Sequence, residues 1–297
     1  MSTAPAVQAV VRLFPYERWG PLLPALASQY RENTPCPHIL LEDFLNSGIA
    51  AKMAGEFPLS ASAAWTQYKH ANENKLGMPK RELFPATLGA VTDELNSPEF
   101  VAWVSELTGI PNLMADPMLE GGGLHQSGPG GYLNVHTDFS MHHFHTHWHR
   151  RVNLILYLNP GWQEEWGGSI ELWERSLSRK SGQGKMSRCA AKYSPLLNHA
   201  LIFTTDERSL HGFPDPLTCP EGQSRKSLAL YYYTLEGDRK ITGHSTDYFA
   251  RPQDGLGKSA MIWLDKKAVD LYSRAKARFG FSDEFASKVL GFLSKKK

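Results

Sequence analysis

The chain has 297 residues, of which 41% are apolar and 21% charged, the profile of a soluble globular protein of one domain or two small ones. A formal charge of +2 is too small to argue for nucleic acid or an anionic membrane as partner. Three well-separated cysteines, Cys36, Cys189 and Cys219, make neither a disulfide framework nor a C-x-x-C zinc motif.

The opening stretch MSTAPAVQAVVRLFPYERWG lacks a basic start followed by a sustained apolar core, so no secretory signal is expected. No run reaches the ~18 apolar residues of a membrane span, and the cytoplasm is the expected location. Residues Phe14 to Pro37 are rich in proline and read as irregular. The clearest helical signal is NSPEFVAWVSELTG. Ser97 is the N-cap, Pro98 opens the first turn, Phe100, Trp103, Val104 and Leu107 form one stripe, and Gly109 ends it.

From Leu113 to about Leu235 the pattern changes to short apolar runs separated by Gly, Pro and Asn. YLNVHTD, VNLILYLN, GGSIELWE, HALIFTT and KSLALYYYT read as strands. Gly167 and Gly168 read as a turn ahead of a strand, with no G-K-[ST] to make a phosphate loop. Tyr231, Tyr232 and Tyr233 should alternate faces, at least one in the core and one exposed. Helix returns after residue 256, first in KKAVDLYSRAKARFG and then in SDEFASKVLGFL, where Phe285, Val289 and Phe292 share a face. The expected architecture is mainly β with flanking helices, one unit over 1–297. Residues 1–112 are a helical support, 113–235 the β core and 236–297 a C-terminal helical extension.

The stretch NVHTDFSMHHFHTHWHRR holds six of the twelve histidines. Within it, His136 and Asp138 stand two apart on an expected strand, so their side chains point the same way and can meet one ion. H-x-D alone is common by chance. His211, in SLHGFPDP, is a candidate third ligand. Two histidines and one carboxylate on one face of an octahedral ion leave the remaining positions open, as in non-haem Fe(II) enzymes. Arg225 enters a strongly apolar strand fourteen residues later with Ser227 on the same face, and a buried arginine there asks for an anionic partner. His145, His147 and His149 would share a face if extended. With no cysteine or carboxylate among them, a second zinc site is disfavoured, and Phe139 to Arg151 reads as a loop beside the metal.

The ordered set GGYLNVHTD, RRVNLILYLNPGWQEEWGGSIELW, LIFTTDERSLHGFPDP and RKSLALYYY resembles the 2-oxoglutarate- and iron-dependent oxygenases of the prolyl 4-hydroxylase type, over roughly residues 113 to 235. The resemblance implies a double-stranded β-helix, a jelly-roll or cupin-like core. It implies Fe(II) on His136, Asp138 and His211, and 2-oxoglutarate as co-substrate with its distal carboxylate on Arg225, joined by Ser227 and Tyr157. His125 departs from the pattern, standing where better-known relatives have a tyrosine. With Tyr132, Trp148, Arg150 and Arg151 it is a candidate for substrate contact, although one of the two arginines is expected to pair with an internal carboxylate.

The implied reaction uses O2 and hydroxylates an unactivated C–H bond with release of succinate and CO2; ascorbate is the reductant to test. Because Asp138 is present, oxygenation is expected in place of the halogenation catalysed by relatives that lack this carboxylate. The expected partner is a peptidyl substrate or a free small molecule such as an amino acid, peptide natural product or sugar, with no nucleic acid or membrane. The non-enzyme alternative is a catalytically silent jelly-roll binding module.

Overall fold

The computed structural model describes residues 12–176, 185–237 and 244–279. In chain order the elements are α1 (Tyr16–Trp19), α2 (Leu23–Glu32), β1 (His38–Leu41), α3 (Ser47–Gly55), β2 (Thr66–His70), β3 (Glu73–Met78), α4 (Ala86–Leu95) and α5 (Pro98–Thr108). There follow β4 (Leu113–Ala115), β5 (Gly123–Ser127), β6 (Tyr132–Thr137), β7 (Trp148–Tyr157), β8 (Ile170–Ser176), β9 (Lys185–Tyr193), β10 (Ala200–Thr204), β11 (Leu210–Phe213), β12 (Arg225–Leu235), β13 (Asp247–Tyr248) and α6 (Leu256–Phe279). The amphipathic segment carrying Phe285, Val289 and Phe292 lies outside the described residues.

All strand pairings are antiparallel, and the sheet runs β1-β10-β7-β12-β5-β3-β6-β11-β8-β9, with β2 on β3, β4 on β12 and β13 on β6. The two ends of this path meet where His38 on β1 and the Tyr193 hydroxyl on β9 hydrogen-bond at 2.7 Å. The result is a nearly closed jelly-roll barrel, as the strand pattern leads one to expect. No helix of the described residues is long and apolar enough to cross a membrane.

The main core lies between the outer face of the barrel and the N-terminal helices. Phe14, Tyr30, Phe100, Trp103 and Leu107 pack there against Leu124, Leu154, Leu156, Leu228 and Tyr232. Helix α5 is built as its sequence suggests: Ser97 accepts a hydrogen bond from the Phe100 amide and Gly109 ends the helix at φ 72°.

Three expectations are corrected. Phe14 to Pro37 is not irregular: it contains α1 and α2, and Pro24 sits in the first turn of α2, where a proline costs the helix nothing. The support ahead of residue 113 is not purely helical, since β1, β2 and β3 join the sheet. None of the three consecutive tyrosines is exposed. Tyr231 is half-buried facing the barrel interior, Tyr232 is in the core, and Tyr233 is buried under the histidine-rich loop, because a register shift between Tyr232 and Tyr233 breaks the alternation.

Candidate active site

Directly opposed residues in antiparallel strands share a face, so the register defines the inner wall. Arg225 opposes Ser127; Ser227 opposes both His125 and Tyr157; Tyr231 opposes Asn153. Gly77 on β3 opposes His125, which places Lys75 and Glu73, two and four residues away, on the same wall. Phe203 opposes Asn153, and its ring packs 4.8 Å from that of His211.

His136 and His211 are partners across β6 and β11. Asp138 lies just beyond the end of β6, one residue past the strand on which it was expected, and still turns inward. Its Oδ1 is 3.5 Å from His136 Nε2 and its Oδ2 is 3.5 Å from His211 Nε2. The candidate ligand atoms of the three residues all lie within 4.8 Å of one another, the one His/Cys/Asp/Glu group of this kind among the described residues. His136 Nδ1 donates to the Asn134 carbonyl at 2.9 Å and His211 Nδ1 to the Ser209 carbonyl at 2.8 Å. A carbonyl can only accept, so both protons are on Nδ1 and both Nε2 lone pairs face the gap. Burial pushes His211 down to about 4 against the pull of Asp138, which keeps it neutral at neutral pH. Burial raises Asp138, but Arg150, His211 and His136 outweigh it and hold the carboxyl well below its usual range. The donor set fits a divalent metal with open positions.

Arg225 is 6% exposed. Its Nε donates to the Gly168 carbonyl at 2.7 Å and its Nη2 to the Tyr157 hydroxyl at 3.3 Å, while Cζ sits 4.2 Å from the Phe213 ring centroid. Gly168 has φ 76°, and a side chain there would meet Leu217 and the Arg225 stem, so the Gly167–Gly168 turn is shaped around this arginine. Burial lowers the Arg225 pKa, and no carboxylate pairs with it among the described residues. Ser227, 2% exposed, stands beside it.

The candidate substrate residues separate. His125 is on the inner wall between two cations; burial, Lys75 and Arg225 drive it to about 3, so it is neutral. Tyr132 is not on this wall. The register shift between His211 and Phe213 turns it away, and its hydroxyl donates to the His70 carbonyl at 3.1 Å. Trp148 opens strand β7 and stacks on His145 with centroids 4.3 Å apart. The loop is therefore shorter than the expected Phe139–Arg151, because β12 runs on to Leu235 and pairs Trp148. Arg150 is the arginine with an internal partner, Asp138, 3.0 Å from its Nη2. Arg151 reaches Thr234 at 3.3 Å and Glu236 at 3.7 Å.

The other histidines hold the loop. His142 is buried between Asp116 (3.5 Å) and Glu120 (3.1 Å), and His143 Nδ1 donates to Glu120 at 2.8 Å. Neither His143 nor His145 is part of the ligand group.

Sequence reading missed Lys75, Glu73, Tyr68 and Asn153. Lys75 pairs with Glu73 at 2.8 Å and lies over the Tyr68 ring at 5.6 Å. Glu73 also meets His70 at 2.9 Å, and His70 meets Asp265 of α6 at 2.7 Å. A charged i, i+2 pair in ENKLG was the available signal.

Residues 122–233, less than half of the chain, match the model of the 2OG-Fe(II) oxygenase superfamily. No match is found among curated protein sequences. A prolyl hydroxylase of Trichoplax adhaerens, solved with a peptide fragment of the hypoxia-inducible factor oxygen degradation domain, superposes with a TM-score of 0.51 at 17% identity, over 73% of this chain and 91% of that one. A prolyl 4-hydroxylase of Phytophthora capsici superposes with a TM-score of 0.51 at 19% identity, over 93% of this chain and 80% of that one. At these identities the likeness is one of fold.

Proposed function

From the match of residues 122–233 to the 2OG-Fe(II) oxygenase superfamily we propose that the protein is a 2-oxoglutarate-dependent dioxygenase that hydroxylates an unactivated C–H bond, releasing succinate and CO2. In this reading His136, Asp138 and His211 hold Fe(II), and Arg225, Tyr157 and Ser227 hold the distal carboxylate of 2-oxoglutarate. The observation that carries it is Arg225, a buried fork-shaped cation with no carboxylate partner among the described residues, on the same wall as the triad.

Ferrous iron with 2-oxoglutarate and O2 supplies the oxidising power, one oxygen atom going to product and one to succinate. The protein's share is placement. The backbone carbonyls of Asn134 and Ser209 fix the two imidazoles. Gly168 and Tyr157 aim the Arg225 fork, the Phe213 ring lies against it, and Phe203 packs on the His211 ring.

We take a prolyl residue in a peptide as the first substrate class to test, with a free small molecule as the alternative. The whole chain is proposed to act as one oxygenase unit. The proposed location is the cytoplasm, in keeping with three free thiols. The test is succinate formation by the Fe(II) protein, with ascorbate present, across proline-containing peptides and free amino acids. Mass spectrometry then looks for the gain of one oxygen atom. Succinate rising with a peptide that gains oxygen supports the reading; a response confined to free small molecules moves it to the alternative.

A further inference from the structure

Arg150 is the largest of the fully buried side chains, 1% exposed. Its guanidinium lies between two rings, with Cζ 3.4 Å from the Tyr231 centroid and 4.6 Å from that of Phe139. Nε donates to Asn153 Oδ1 at 2.9 Å, and Asn153 Nδ2 donates in turn to Asp138 Oδ2 at 2.7 Å. Arg150 Nη2 is 3.0 Å from that same Oδ2. The three side chains close a ring: Asn153 hydrogen-bonds one oxygen of the carboxylate, and the Arg150 guanidinium is ion-paired with that same oxygen, its Nη2 outside hydrogen-bonding geometry. Asp138 Oδ1 receives neither.

This arrangement is built into the backbone. The pairing of β7 with β12 slips by one residue here, so that Tyr232 opposes Val152 while Tyr233 opposes Arg150. The Arg150 amide donates to the Ser140 carbonyl at 2.8 Å and its carbonyl accepts from the Thr205 hydroxyl at 3.0 Å. A bulge of this kind re-aims a side chain, and here it aims the guanidinium at the carboxylate.

Asn153 alone would satisfy Oδ2 with a hydrogen bond. What Arg150 adds is a positive charge, and burying that charge is costly unless it is paired. A carboxylate that shares its charge with a guanidinium is a weaker donor to a metal. Held by Asn153 and Arg150 on one oxygen, it is also fixed in rotation, with Oδ1 toward His136 and Oδ2 toward His211. We propose that Arg150 is a positioning residue which, with Asn153, fixes the rotation of the Asp138 carboxylate and draws charge from it, so that Asp138 is a weak donor to the metal and leaves coordination positions for the two donor atoms of the 2-oxo acid. The inference rests on the metal reading of the triad. It also takes Arg150 out of the candidate substrate contacts.

The test uses Arg150→Met, Arg150→Gln and Arg150→Lys in the full chain. Cobalt(II) is titrated into the metal-free proteins by visible absorbance, and 2-oxoglutarate into the anaerobic Fe(II) forms through the metal-to-ligand charge-transfer band. In Arg150→Met, cobalt(II) should bind as tightly as in the wild type or tighter. Affinity for 2-oxoglutarate should fall about tenfold. The band should move to longer wavelength, because a more electron-rich iron gives up an electron at lower energy. Arg150→Gln keeps a donor beside Oδ2 while losing the charge, so it carries the same band shift if the methionine variant fails to fold. Arg150→Lys should restore the band position and only part of the affinity, since it lacks the planar fork. A neutral variant with wild-type band and 2-oxoglutarate affinity overturns the proposal, as does one that folds but no longer binds cobalt(II). Wild-type protein that binds cobalt(II) but not 2-oxoglutarate overturns the oxygenase reading, and one that binds neither overturns the triad as well.

Discussion

His136 on β6 and His211 on β11 stand directly opposite one another with ring centroids 4.4 Å apart, and each donates Nδ1 to the backbone carbonyl two residues before it. The same local device, used twice, points two Nε2 atoms at Asp138. A three-ligand group has no spare member, so His136→Ala, Asp138→Ala and His211→Ala should each lose bound Fe(II) and turnover together. His143→Ala, His145→Ala and His147→Ala should keep full iron stoichiometry by metal analysis. Iron lost in that second set would place the metal on the wrong histidines.

The distance between those two strands depends on Gly212. A Cβ at this position would lie 2.7 Å from the Leu133 carbonyl oxygen and 2.9 Å from that of Asn134, both backbone atoms with little room to give. Gly212→Ala should cost about 1–3 kcal/mol. In a domain of this size that lowers the melting temperature by several degrees, on the order of 2–4 °C per kcal/mol. Iron affinity should fall with it, because β11 can yield only by moving His211. A variant that melts and binds iron as the wild type does would mean that the strands tolerate a wider spacing.

Arg225 should matter to the co-substrate and not to the metal. Removing one partner of a buried, charge-assisted pair costs on the order of 2–5 kcal/mol. At 1.4 kcal/mol per tenfold, 2-oxoglutarate binding to Arg225→Ala should weaken roughly thirty- to several-thousand-fold, with iron retained. Lysine there should rescue only in part. Lys226 is on the other face of β12, over the Phe57 ring, and Lys226→Ala should bind normally. The reverse result in the anaerobic titration would put the strand register wrong by one residue.

His70 gives a pH dependence of known sign. Burial pulls its pKa down, but Asp265 and Glu73 outweigh that and lift it to about 9. Its side chain is 16% exposed. A raised histidine stabilises the fold fully below its ordinary value of 6.5, and the contribution is lost as pH climbs through 9. The loss should reach about 3 kcal/mol. Urea unfolding at pH 6 and at pH 9.5 should show this fall in the wild type and a shallower one in His70→Gln. Equal slopes in the two proteins would mean that the imidazolium contributes nothing to holding α6 against the β2–β3 hairpin.

What could be read from the chain and what could not divide along physical lines. Strands β6 and β12 announce themselves because one face is apolar and the other carries isolated polar residues, so His136, Arg225 and Ser227 were placed by alternation alone. Helix α5 was legible from its caps. The hairpin Thr66–Met78 was not, because its inward positions bear His70, Glu73 and Lys75 and so break the apolar pattern that marks a buried face. Tyr132 and Arg150 share a cause: each lies next to a register shift, and a shift is decided by the partner strand, not by local sequence. Alternation carried across those points assigns the wrong face.

The hairpin has a consequence for how such a protein can change. It supplies Tyr68, Glu73 and Lys75 to the wall of the cavity, yet it lies wholly outside residues 122–233, which carry the triad and Arg225. The reacting centre and part of the wall facing it are thus encoded in separate, exchangeable lengths of chain, joined through the short pairing of β3 with β5 and β6. In the proposed oxygenase reading, a graft that replaces Thr66–Met78 while preserving Gly77 opposite His125 would change the side chains on the inner wall and leave the triad and Arg225 in place. Evolution and engineering have the same handle there.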